Sequence, residues 1–166
     1  MTFDATPRTY PNPPVDADTV AGTSVCDLGG AERFVVWAVR WQASQHDDAE
    51  FAQDCLDESF ARAGIGHAAA AFCRYMRAIH GSPSPCAPAA RLGCWRINLL
   101  EATTLHAVAC LQAGLFGDAW RAVSSLCPRS GAARAMLALG ELAEELSQAG
   151  GRIRPWPIVA ATAAAS

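Results

Sequence analysis

The sequence predicts an all-α protein, a compact bundle of five or six helices with an irregular N-terminal arm and an extended C-terminal tail. Three observations carry that expectation. Apolar residues recur with the 3.6-residue period of an amphipathic helix over most of the chain beyond residue 30. Glycine and proline punctuate the gaps between these stretches, at Gly64 to Gly66, Gly81 to Pro85, Gly114, Pro128 and Gly150-Gly151. With 166 residues, 51% of them hydrophobic and 17% charged, the chain holds enough apolar material for one core.

The elements follow in order. Residues 1–28 contain four prolines and four aspartates with little periodicity, and read as an extended or disordered arm; Val20 and Val25 are its candidates for docking on the core. The single helical domain spans 29–158, and the Ala-rich end, 159–166, is expected to fray. Helix 1 is expected over 30–43, with Phe34, Val35, Trp37, Ala38 and Trp41 on its apolar face and Glu32, Arg33 and Arg40 opposite. Helix 2 covers 48–63, capped by Asp47 or Asp48, with Glu50, Asp54, Asp57 and Glu58 in water. Helix 3 covers 65–79, with Ile65, Ala68, Ala69, Phe72, Met76 and Ile79 on one side. Two prolines forbid its continuation, and the loop that follows carries Cys86 and Cys94.

Helix 4 begins at Asn98 and ends at Gly114. The Asn98-Leu99-Leu100-Glu101 run is a capping box with Asn in the capping position. Helix 4 has almost no polar face, which makes it the expected central helix. Helix 5 covers 118–126, with Ala119, Trp120 and Val123 inward, and Pro128 stops it. Helix 6 covers 131–149, with Met136, Leu139, Ala143 and Leu146 inward. The tail, with Ile153, Trp156 and Ile158, is expected to lie across the bundle.

Composition removes several functions. The formal charge is −3, without the basic stripe that nucleic-acid binding needs. All 13 basic residues are arginine, so no lysine exists to form a Schiff base or to serve a phosphate loop. No apolar run reaches the roughly 18 residues of a membrane span. Seven cysteines is an odd number, and residues 1–28 have no secretory pattern, so reduced thiols in a cytoplasm are expected. Neither G-x-S-x-G nor HExxH occurs, and no glycine-rich phosphate loop follows a strand.

Gly114, Phe116, Ala119 and Val123, followed by Pro128, resemble the middle and end of one tetratricopeptide unit, over about Thr104 to Pro128. The 34-residue period of such arrays is missing: one period upstream of Gly114 stands His80. The resemblance implies a helix–turn–helix hairpin and points toward peptide binding.

The remaining chemistry lies in cysteine and histidine. His106 and Cys110 are spaced i, i+4, so both side chains can reach one metal ion, or the imidazole can draw a proton from the thiol. A zinc site needs three or four ligands, so Cys73, Cys94 or His80 would have to join them. The alternative is a structural histidine bonded to Thr103, a backbone carbonyl or water. His80, Cys86 and Cys94 form a second grouping, H-x5-C-x7-C. Cys73 and His80 are ~10 Å apart along one helix, too far to share an ion. Cys127-Pro128 resembles a haem-regulatory dipeptide. The sequence therefore favours a small, soluble, non-enzymatic module that binds protein or peptide. Its rivals are a zinc- or haem-binding sensor built on the cysteines and a thiol enzyme.

Overall fold

The computed structural model describes residues 19–44, 49–80, 89–127 and 129–156. It is an all-α bundle. Six helices occur among these residues: α1 Gly30–Ala43, α2 Ala49–Arg62, α3 Ala68–His80, α4 Leu99–Gln112, α5 Phe116–Leu126 and α6 Arg129–Gln148. Strand β1, Thr19–Ser24, pairs antiparallel with β2, Arg96–Asn98, and a short 3-10 turn, Val25–Asp27, leads from β1 toward α1. The strands were not expected. Part of the 1–28 arm is therefore ordered, and Val25 packs on the core as anticipated. The Val20 side chain, Cys86, the candidate caps Asp47 and Asp48, and Ile158 lie outside the described residues.

Helix α4 is the axis of the bundle. From Leu100 to Cys110 every residue except His106 is buried. Its start is a complete capping box. The Asn98 side chain accepts from the Glu101 N–H at 2.9 Å, and Glu101 Oε2 accepts from the Asn98 N–H at 3.1 Å. At its end Gly114 takes a φ of +74°, and the Leu115 N–H reaches back to the Cys110 carbonyl at 2.8 Å. That six-to-one closure is a Schellman ending, which needs the left-handed conformation glycine adopts most easily. It sets the tight turn into α5.

Helices α3 and α6 pack most extensively on each other. They meet closely at Gly131, where a β-carbon would come within 3.1 Å of the Ala78 carbonyl oxygen. Inside, Thr104 donates to the Leu100 carbonyl, so the Tyr75 hydroxyl donates to Thr104 Oγ1 at 2.6 Å. The half-buried Trp37 and Trp41 rings stack at 5.7 Å, and Phe34 packs edge-on against Phe60 at 4.9 Å. These rings tie α1 to α2 and serve as packing anchors. Ile153 and Trp156 are buried, so the tail lies across the bundle.

Three side chains depart from the sequence reading. Glu32 and Arg40, expected in water, are 1% and 4% exposed. Each left water because a partner of opposite charge meets it from far along the chain, Arg154 and Glu101 respectively. Trp120, expected inward, is 39% exposed, because Ala119, Ala122, Val123 and Leu126 already fill the buried face of α5.

Candidate functional site

Among the described residues, most of the predicted ligands lie apart from one another. His106 and Cys110 do meet: Cys110 Sγ lies 3.3 Å from His106 Nε2, one turn apart on α4. His106 is half-buried, and its Nδ1 is shielded from water with no hydrogen-bond partner. Neither Thr103 nor a backbone carbonyl takes the role expected of it. Cys73 is buried on α3, with its thiol 3.5 Å from Gln53 Oε1. His80 stands exposed at the far end of the same helix. Cys94 is half-buried in the loop before β2, and Cys127 is buried at the end of α5 with its thiol 3.5 Å from the Val123 carbonyl. Among the described residues, no three His, Cys, Asp or Glu side chains gather where they could hold one metal ion.

Thiolate chemistry is disfavoured at Cys73, Cys110 and Cys127. Burial pushes the Cys110 thiol above its ordinary value, and the Asp118 carboxylate adds to the rise. Burial alone raises Cys127. Burial also raises Cys73, against a lowering contribution from its hydrogen bond to Gln53. A nucleophilic cysteine needs the opposite environment, electropositive and partly open. A small cavity of about 140 Å³ between α1 and α2 is lined by Trp41, Gln42, Ser44, Ala49, Ala52 and Gln53. Pockets that enclose a small-molecule ligand are larger, roughly 300–1,000 Å³.

Two groups of exposed apolar side chains stand out. The first is at the α4–α5 corner, where Leu115, Phe116 and Trp120 are 51%, 66% and 39% exposed. Phe116 and Trp120 are four residues apart on α5 and share a face, with Leu115 immediately before them. Asp118 and Arg121, which pair with each other, supply nearby charge. The second is the loop into β2, where Leu92 and Trp95 are exposed and the Arg96 guanidinium lies 4.2 Å from the centre of the Trp95 ring.

That loop is held from beneath by a buried ion pair. Arg40 reaches across from α1, and its Nε and one terminal nitrogen meet the two Glu101 oxygens at 2.9 and 2.8 Å. The same guanidinium donates to the Cys94 carbonyl, and to the Arg96 carbonyl at 2.8 Å. Glu101 also accepts from the Ala90 N–H at 3.1 Å. The sequence reading found Glu101 as a cap and missed its partner. The signal was present: Glu101 is the one acidic residue in a helix with almost no polar face, and a buried carboxylate requires a counter-charge.

Among the described residues, no helix is long and apolar enough to cross a membrane. No protein-family model, curated protein or solved structure matches the chain.

Proposed function

We propose that this chain is a small, non-enzymatic helical module of the cytoplasm that binds another protein or a peptide. The observation that carries the reading is the apolar group at the α4–α5 corner, Leu115, Phe116 and Trp120. Large aromatic side chains on a rigid turn are the kind of residue that dominates binding energy at protein interfaces. Their ordering cost is already met by the Schellman closure at Gly114. The corner falls within the stretch that resembles a tetratricopeptide hairpin, which supports the same reading.

A photo-crosslinking amino acid at Phe116, with the exposed Arg62 position as control, tests it. The expected result is a discrete protein adduct from position 116 and none from position 62. The Phe116→Ser/Trp120→Ser variant should keep the wild-type melting temperature and no longer co-purify with the partner that the position-116 adduct identifies. Adducts that do not depend on position would overturn the reading.

The close approach of His106 and Cys110 supports a second reading, metal sensing. Elemental analysis and an absorption spectrum of untagged protein distinguish the two. Stoichiometric zinc or a Soret band would replace the interaction module with the sensor.

A further inference from the structure

The loop before β2 reads Arg91-Leu92-Gly93-Cys94-Trp95-Arg96. Single apolar side chains on a surface are ordinary and need no explanation. This loop differs in how it is held and in the charge it carries.

Each peptide carbonyl around Trp95 is fixed. Arg40 holds those of Cys94 and Arg96, and the Val25 N–H holds that of Trp95 at 2.7 Å. Arg40 is itself locked by Glu101, which is fully buried. A buried ion pair is a weak source of stability, since apolar groups of the same shape serve as well or better. Its distinctive feature here is positional: it ties two carbonyls of the loop to the core. A surface ordered in advance avoids the entropy of ordering on binding.

The charge is one-sided. Residues 89–98 contain two arginines and no acidic residue, in a chain whose net charge is −3. Among the described residues, neither Arg91 nor Arg96 is ion-paired. Arg96 Nε is shielded from water with no hydrogen-bond partner. The acid on the neighbouring 3-10 turn, Asp27, acts on Arg154. Among the described residues, Trp95 and Leu92 thus sit beside two arginines that no carboxylate pairs with.

We infer that the loop from Arg91 to Arg96 is a docking surface for an acidic peptide segment of a partner protein. Trp95 and Leu92 cover an apolar side chain of that segment, and Arg91 and Arg96 meet its carboxylates. This rests on the interaction-module reading and adds the chemistry of the partner. It uses a surface separate from the α4–α5 corner.

The probe is a fluorescein-labelled peptide of about twelve residues in which Glu and Asp alternate with Leu and Phe, read by anisotropy against the full chain. The controls are the same peptide with Lys in place of each acid, and an oligothymidylate of equal length. The expected result is saturable binding of the acidic peptide alone, weakening as salt rises from about 50 to 300 mM. Trp95→Ala should weaken it at least ~10-fold. Arg96→Gln and Arg91→Gln, each removing one positive charge, should each weaken it several-fold and flatten the salt dependence. The Phe116→Ser/Trp120→Ser variant should bind the peptide as wild type does.

Absence of saturable binding at millimolar peptide overturns the inference. So does equal binding of the Lys peptide, preference for the oligonucleotide, or indifference to all three loop substitutions. If the corner variant no longer co-purifies with the partner that the position-116 adduct identifies while the loop variants change nothing, the interaction module stands and the acidic-peptide surface falls.

Discussion

Glu101 and His106 are the two polar side chains of α4 whose surroundings decide how the helix is used. Glu101 accepts from Arg40 and from two backbone N–H groups, so its charge is satisfied. His106 has one weak partner, a thiol, and an orphaned Nδ1. The i, i+4 spacing told the sequence reading that His106 and Cys110 would meet, and they do. It could not tell whether a third ligand would join them, because that depends on how distant elements pack; among the described residues none does. Replacing His106 with leucine should therefore cost little or raise the melting temperature, since an unsatisfied buried nitrogen is worth roughly 1–3 kcal/mol of destabilisation. Cys110→Ala should cost on the order of 1–2 kcal/mol, the loss of a small buried side chain. Neither result should change with EDTA. A wild-type melt that falls with chelator while both variants ignore it would contradict this and favour a structural metal.

At the scale of elements, the helices were legible because their signals are local. A capping box, a proline and a glycine fix ends within a turn, and the apolar period fixes a face. The short sheet was not legible. Strand β2 has three residues, too few for an alternation pattern, and it exists because β1 is laid beside it. The clamp that closes the C-terminal tail was equally hidden, since Glu32 and Arg154 are 122 residues apart. Glu32 accepts from the Gly29 N–H at 2.6 Å, the Arg154 N–H at 3.1 Å and the Arg154 guanidinium. Burial pushes the Glu32 carboxyl up, but the Arg154 hydrogen bonds, with that from Gly29, bring it below the ordinary 4.5.

A carboxyl with a lowered folded-state value stabilises the fold above its unfolded value, and that stability is lost as pH falls through the folded value. The melting temperature should therefore drop on acidification below about 4.5 as this contribution is lost. Arg154→Gln should lower the melt at pH 6, and its difference from wild type should shrink below that point. Because Arg154 is largely in water, the difference at pH 6 should also diminish with salt. A gap between the two proteins that stays constant from pH 6 to pH 3 would rule the clamp out as the origin.

For the molecule as a whole, Arg40 joins α1, α4 and the β2 loop, so it tests whether that junction serves stability, presentation, or both. Arg40→Met leaves the Glu101 carboxylate buried without its counter-charge. Breaking a buried pair in this way costs about 3–5 kcal/mol, a large part of the ~5–15 kcal/mol that holds a domain together. Glu101→Gln added to Arg40→Met removes the stranded charge, and the amide oxygen can still accept from one of the two N–H groups, Asn98 or Ala90, that the two carboxylate oxygens accept from in the wild type. The double variant should therefore recover much of the melting temperature lost by Arg40→Met alone. It should not recover the loop, because no side chain then holds the Cys94 and Arg96 carbonyls. Thermal melts should rank wild type, double variant and Arg40→Met in that order. Hydrogen exchange across residues 91–96 should be faster in both variants than in wild type. Acidic-peptide binding should be weakened in both, although every side chain of the 91–96 loop is intact. If the double variant regains stability and binds the peptide as wild type does, the ion pair is an element of the core alone and has no part in presenting the loop.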